Sequence, residues 1–194
     1  MMSSATAMHT RRWTRAEYER LVGEGFFHPE ERLELIAGEL LQKMTPQGSL
    51  HSTGIRSVEE VLRPIFFNKG FDIRIQMPVA LSDDSEPEPD VAVVPGSLHD
   101  YRDAHPTTAV LIVEVADSTV EFDRQSKAPL YARAGIADYW IVNLVDHWLE
   151  VYRHPTSVDT QTARYTTILR LSPTDTIAPL AAPQTPVRVS DLLP

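Results

Sequence analysis

Two acidic residues and one lysine have the types and the spacing for chemistry beside a β-sheet. Glu114 lies within residues 109–116, a run that otherwise has the apolar composition of a fully buried strand. A buried carboxylate is costly unless a cation, a metal ion or several donors accompany it. Asp90 begins a second apolar run 24 residues earlier (114 minus 90), and Lys127 follows on the next predicted helix. This combination predicts metal-assisted hydrolysis.

The composition restricts the class of protein. A chain of 194 residues, 42% of them hydrophobic and without repeats, predicts one domain over residues 11–194 after a flexible tail, residues 1–10. The lack of cysteine excludes a disulfide scaffold and a thiolate zinc site. Since the sequence has neither a signal peptide nor an apolar segment long enough to span a bilayer, we expect a cytoplasmic protein without membrane contact.

The formal net charge is −9, from 18 basic and 27 acidic residues. This balance argues against a broad basic surface that binds nucleic acid. It does not exclude a nuclease, because acidic metal ligands have to be counted together with their divalent ions.

The apolar pattern predicts the elements that position these groups. Three segments have the three- and four-residue spacing of amphipathic helices, and they begin at Thr14, near Ser49 and at residues 118–119. Gly38 is placed to close a hairpin, and Gly135 to end the third helix. The predicted strands are residues 32–36, 39–44, 71–80, 90–94, 109–116, 139–142, 148–152 and 165–171.

The third helix connects two buried strands, residues 109–116 and 139–142, which predicts a parallel pair with a crossover. The last two strands are expected to extend the sheet antiparallel, and Pro64 to end or kink the second helix. The expected fold class is therefore α/β, a mixed central sheet flanked by helices with an N-terminal helix and hairpin.

Five phrases of the sequence, in this order, carry a family resemblance. They are LELIAGEL at 33–40, PEPDV at 87–91, VEVADS at 113–118, DRQSK at 123–127 and YARAGIADYWIV at 131–142. The set resembles the Uma-type restriction endonuclease family of the PD-(D/E)XK nuclease superfamily. The resemblance implies a restriction-endonuclease-like core and hydrolysis of DNA phosphodiester bonds with Mg²⁺, or Mn²⁺ in its place.

The resemblance also implies roles for individual residues. Asp90, Glu114 and the carbonyl of Val115 are expected to hold one Mg²⁺. In the superfamily the lysine lies two residues after the second acid, where this chain has Ala116. Lys127, 13 residues after Glu114 (127 minus 114), is expected to replace it from the helix, orienting the attacking water and stabilising the transition state.

Other polar residues are candidates with simpler alternatives. Glu34 is either a further acid near the metal or a residue on a solvated face. His51 is expected to contact a phosphate or assist proton transfer, or else to be a surface residue at a helix start. Tyr131 follows Lys127 at i+4 and is expected to shield its ammonium stem. The roles of Glu39 and Gln125 stay open.

Structural interpretations compete with the catalytic ones. Lys127 could simply neutralise Glu114 in a buried pair, and Asp90 could satisfy backbone donors where a strand begins. The acidic residues between positions 83 and 88 are most simply a solvated loop.

Two other functions remain open on the sequence alone. A catalytically silent nuclease fold would bind nucleic acid or a protein without cutting, and a glycosidase would use Asp90 and Glu114 but give Lys127 no role. A homodimer is expected, because cutting both strands of a duplex needs two sites. Trp148, Tyr152 and Tyr165 are expected to expose an apolar surface for it.

Overall fold

The structure is a computed structural model that describes residues 10–28, 30–43, 48–156 and 162–194. The predicted tail, apart from Thr10, and Met44 at the end of the second predicted strand lie outside the described residues. The helices are α1 (Arg15–Gly23), α2 (Ser49–Phe66), α3 (Val120–Phe122) and α4 (Ala128–Arg133). The strands are β1 (Leu33–Ile36), β2 (Glu39–Gln42), β3 (Phe71–Ile75), β4 (Val91–Pro95), β5 (Leu111–Ala116), β6 (Asp138–Asn143), β7 (Trp148–Thr156), β8 (Arg164–Leu171), β9 (Thr176–Ile177) and β10 (Val187–Arg188).

The N-terminal segment forms the expected helix and hairpin. Thr14 and Glu17 cap α1 reciprocally, each side chain accepting the backbone N–H of the other residue. Ala37 and Gly38 both have positive φ, 49° and 80°, as a tight two-residue hairpin turn requires. The backbone of Leu35 then pairs with that of Glu86, so the hairpin is docked on the loop that precedes β4.

A six-stranded mixed sheet forms the centre, in the order β3-β4-β5-β6-β7-β8. All neighbouring strands are antiparallel except β5 and β6, which are parallel and joined through α3 and α4. The predicted α/β class, the parallel pair and the antiparallel extension are confirmed.

Each face of the sheet buries a separate apolar cluster. α2 packs against one face through residues such as Val58 and Leu62, which meet Val113 and Val115 of β5. The other face packs against α4. Because side chains alternate along a strand, Glu114 lies on the α4 face.

Several predicted boundaries and exposures are wrong. β3 ends at Ile75 instead of continuing to residue 80, because Gln76 takes a positive φ of 50° that a strand cannot continue through. α2 passes through Pro64 and ends two residues later at Phe66, so Pro64 does not end the helix, and the alternative of a kink stays a prediction. The acidic loop is not fully solvated, because Glu86 is buried.

The late aromatic residues do not form an exposed surface. Tyr152 and Tyr165 are buried and pack against Tyr139, with ring centroids 5.4 and 6.1 Å away. Trp148 is half-buried, under the guanidinium of Arg170. The prediction that these residues expose an apolar surface for a dimer is therefore wrong. Within the residues that the structure describes, no helix is long and apolar enough to cross a membrane.

Candidate active site

Glu114 has its cation and its hydrogen-bond donors inside the fold. Its Oε1 accepts from Lys127 Nζ at 2.9 Å and from the Tyr131 hydroxyl at 2.7 Å. Both donors come from the helix that crosses from β5 to β6, four residues apart on one side. Burial raises the pKa of Glu114, and the charge of Lys127 opposes that rise. Tyr131 thus binds the carboxylate, a role that differs from the expected shielding of the ammonium stem.

Asp90 lies directly before β4, beside Glu114. The pairing of β4 with β5 ends at Val113, so the N–H of Val115 is left outside the ladder and donates to Asp90 Oδ2 at 2.9 Å. The N–H of Asp90 lies 3.4 Å from Glu114 Oε2. Asp90 does satisfy a backbone donor, as its structural interpretation required, yet it also lies next to the second acid.

His51 and Gln76 contact the other oxygen of Asp90. His51 Nε2 lies 3.4 Å and Gln76 Nε2 lies 3.2 Å from Oδ1. Burial raises the pKa of Asp90, but the hydrogen bonds from His51 and Val115 outweigh it and the net shift is downward. The hydrogen bond to Asp90 in turn raises the pKa of His51. His51 is only partly exposed, and its contact with Asp90 makes it part of the site.

Sequence reasoning missed Gln76. Its positive φ ends β3, and its own N–H donates to the Asp90 carbonyl at 3.1 Å. A non-glycine residue with positive φ beside buried acids is the kind of strain found at functional sites. Gln76 occupies a polar position in the alternating pattern of the predicted strand, and this pattern indicates neither its positive φ nor its contact with Asp90.

A π turn orients Lys127. Between α3 and α4, residues Asp123–Lys127 widen so that the Ala128 N–H reaches the Asp123 carbonyl, five residues back. Pro129 lacks the N–H that the regular α-helical bond at that point needs, which favours the wider turn. The turn leaves Lys127 buried, with Nζ 3.7 Å from Glu34 Oε2. Burial lowers the pKa of Lys127, but the charges of Glu114 and Glu34 more than compensate, so the pKa is raised.

The remaining candidates divide clearly. Glu34 is buried and accepts the N–H of Glu88 at 3.1 Å, so the solvated-face interpretation is wrong. Gln125 is exposed and lies 3.4 Å from Glu121, away from Lys127. Glu39 is exposed on the hairpin. Glu34 thus joins Asp90, Glu114, Lys127 and His51, whereas Glu39 and Gln125 do not.

A cavity of about 380 Å³ is lined by the side chains that belong to the site, Glu34, His51, Asp90, Glu114 and Lys127. Its lining includes residues of the β1–β2 hairpin, and Phe122 and Asp123 at the start of the crossover helix. Asp123 was not predicted; it is buried, accepts from Thr119 at 2.8 Å, and burial followed by the charge of Glu114 raises its pKa to about 7.

Carboxylates outnumber cations in this cavity. Its lining has five acidic side chains against the three cations Arg32, Lys43 and Lys127, besides His51. In the described part of the chain, however, no three or more His, Asp or Glu side chains are grouped so that they alone could hold a metal ion.

The chain is similar to known proteins over most of its length. A family model, "Uma2: Putative restriction endonuclease", matches residues 15–185. The chain is also similar to the crystal structure of a putative nuclease belonging to DUF820 from Anabaena variabilis, with a TM-score of 0.62 and 18% identity. That match covers 92% of this chain and 96% of the other. At this identity it shows a shared fold alone. No curated protein matches the sequence.

Proposed function

Since the chain belongs to the Uma2 family, described as "Putative restriction endonuclease", we propose that it is a metal-dependent endonuclease that hydrolyses phosphodiester bonds in DNA. The observation that supports this most is the convergence of three side chains from separate elements. Asp90 precedes β4, Glu114 lies within β5 and Lys127 comes from the crossover helix, yet hydrogen bonds connect all of them in one cavity.

The oxygen atoms near Asp90 and Glu114 fit a divalent cation. Among the residues that the structure describes, Glu114 Oε2 has no donor nearer than the 3.4 Å contact with the Asp90 N–H. The N–H of Val115 faces Asp90 from the unpaired edge of β5. The carbonyl of Val115 lies on the same edge, because N–H and C=O of one strand residue face the same side.

Two carboxylates and one carbonyl form a small set of hard ligands, as Mg²⁺ prefers when it keeps several waters. We therefore assign Asp90, Glu114 and Val115 as its ligands. When bound, Mg²⁺ or Mn²⁺ supplies a water of lowered pKa and positive charge beside the scissile phosphate.

Lys127 acts as a fixed positive charge. Its ammonium lies 2.9 Å from Glu114 and 3.7 Å from Glu34, and these carboxylates raise its pKa, so the proposal gives it the role of a positive charge and not of a base. Its Nζ donates to Glu114, and its remaining N–H bonds orient the attacking water and stabilise the charge that develops on the phosphate. Glu34, on the β1–β2 hairpin, also contacts the ammonium, with its Oε2 lying 3.7 Å from Lys127 Nζ.

His51 has a role at Asp90. Its Nε2 contacts Oδ1 from the first turn of α2, at the edge of the cavity. From there the ring restrains the carboxylate and is within the space that a substrate phosphate enters.

Cleavage of circular DNA, supplied both as a single strand and as a duplex plasmid, across Mg²⁺, Mn²⁺ and Ca²⁺ tests this proposal. Wild type is expected to cut with Mg²⁺ or Mn²⁺, and Asp90→Asn to lose both the cleavage and the metal-induced rise in melting temperature, since a ligand of the folded state stabilises it by mass action. Asp83→Asn, an exposed aspartate seven residues earlier, is the matched control and should behave as wild type. No cleavage with any metal, together with an equal thermal shift in all three proteins, would support the catalytically silent module instead.

A further inference from the structure

The site geometry points to a substrate class: we propose that the cavity takes an unpaired DNA strand and not an intact duplex. This inference rests on the proposed endonuclease function. Three independent features carry it, namely the depth of the reacting groups, an aromatic wall and the distribution of charge.

The reacting groups that line the cavity are almost fully buried. The side chain of Asp90 is 7% exposed, and those of Glu114 and Lys127 are 4% exposed. A scissile phosphate must therefore enter the cavity to meet them. Duplex DNA is stiff over about 150 base pairs and keeps its bases stacked behind each phosphate.

The volume of about 380 Å³ is near the lower end of ligand cavities, roughly 300 to 1,000 Å³. A cavity of this size admits a nucleotide-sized group. It does not admit a stiff double helix.

Phe122 gives the cavity a surface for a nucleobase. The ring is partly exposed at the start of the crossover helix and lines the cavity, as does Leu41 of the hairpin. Aromatic side chains bind single strands by stacking on bases, and this is possible only when the base is free of its own stack. The ammonium of Lys127 lies 6.0 Å from the centroid of this ring, so a base stacked on Phe122 would bring its phosphate close to the reacting groups.

The distribution of charge around the cavity favours a single DNA strand. Apart from Lys127, the cations among the described lining residues are Arg32 and Lys43, neighbours at the open end of the hairpin through a 2.9 Å backbone bond. The segment that follows β5 contributes Asp117 and Asp123 to the lining. One strand can lie along the hairpin residues, whereas a duplex would bring its second row of phosphates near these acidic residues of a protein with net charge −9.

Cleavage mapping on a forked substrate tests the inference. The substrate has a duplex stem and an unpaired arm of equal length, each end-labelled, with the metal that supports cleavage. Cuts are expected in the arm at least tenfold faster than in the stem. Equal or faster cutting within the stem would overturn the inference and leave the proposed endonuclease function intact.

Binding gives a second readout that does not need cleavage. In EDTA, fluorescence anisotropy should show tighter binding of a labelled single strand than of the same sequence as a duplex. Two phosphate contacts predict a shallow dependence of log K on log salt, with a slope of about −1.4. Tighter binding of the duplex, or no binding of either DNA, would contradict the inference.

Variants at one aromatic residue separate stacking from general effects. Phe122→Ala should weaken single-strand binding about 5- to 100-fold, and Phe122→Trp should restore it. Phe26→Ala is the matched control, because Phe26 is exposed and is not part of the cavity. Equal affinity of Phe122→Ala and wild type would overturn the stacking role.

Discussion

At Glu114 the two carboxylate oxygens have different surroundings. Oε1 accepts two hydrogen bonds, from Lys127 and Tyr131, whereas the one contact of Oε2 within the described parts of the chain is the 3.4 Å contact with the Asp90 N–H. Two donors on one oxygen restrict rotation of the carboxylate. Oε2 is therefore held towards Asp90, where the proposed metal ion binds.

Removing the Tyr131 hydroxyl should lower the free energy of unfolding more than removing a buried hydroxyl that donates to a neutral group. A hydrogen bond to a charged group contributes about 1.5–3 kcal/mol, and one between neutral groups about 0.5–1.5 kcal/mol. Tyr139 is equally buried, but its hydroxyl donates to the Asp123 carbonyl at 3.2 Å. Urea unfolding should therefore give a larger loss for Tyr131→Phe than for Tyr139→Phe. The reverse order would argue against a charged acceptor at Glu114.

Glu86 should make stability depend on pH. It is buried, with Oε1 3.7 Å from His105 Nε2, and burial followed by the charge of Glu19 raises its pKa from 4.5 to about 7. The folded state then binds more protons than the unfolded state between these values, so this contribution to stability is lost as pH rises towards and beyond 7.

Glu86→Gln cannot ionise and should therefore melt higher than wild type at pH 8, with little difference at pH 5. Melting curves at the two pH values measure this, with the exposed Glu24→Gln as control. A difference that is the same at both pH values would mean that ionisation of Glu86 is not its cause.

At the scale of elements, the crossover helix positions the site because it is anchored to the sheet. Arg124, within the π turn, donates through both Nε and Nη2 to Glu150 of β7, which is 1% exposed. Trp148 and Tyr152 donate to the same carboxylate. The anchor fixes the segment that contains Lys127 three residues later.

Arg124→Met should lower the free energy of unfolding by about 3 kcal/mol, because it leaves the buried charge of Glu150 without its cation. The matched control is Arg56→Met, which removes a guanidinium that is 74% exposed and paired with Glu59 at 2.7 Å. Such a surface pair is worth about 0–1 kcal/mol. Similar losses in the two variants, measured by urea unfolding, would show that the Arg124 pair is no anchor.

Local patterns allowed most elements to be predicted. The capping box at Thr14, the turn at Gly38 and the buried run around Glu114 each have a short-range cause that is legible in the sequence. The π turn at residues 123–127 and the strained Gln76 were missed, since tertiary contacts decide both. Polar residues in loops are equally hard to place, as the burial of Glu86 shows.

For the whole molecule, both faces of the sheet bury apolar clusters, one under α2 and the other under α4. The acidic cavity receives His51 from α2 and Lys127 from the crossover helix, so elements from both faces contribute to the proposed chemistry. The expected homodimer remains a prediction. The dimer was expected because cutting both strands of a duplex needs two sites, and an unpaired substrate does not require this. Light scattering of the intact chain measures the oligomeric state directly.

The most direct test of the central claim is the rate of DNA cleavage at saturating substrate and Mg²⁺ for wild type and Lys127→Gln. The glutamine amide can still donate to Glu114, so the fold, checked by circular dichroism, and the Mg²⁺ affinity should be nearly retained. Because a charged donor to the transition state is lost, the rate should fall about 100-fold or more. A variant that cleaves at the wild-type rate, or a wild type that cleaves no DNA with any divalent metal, would contradict the account.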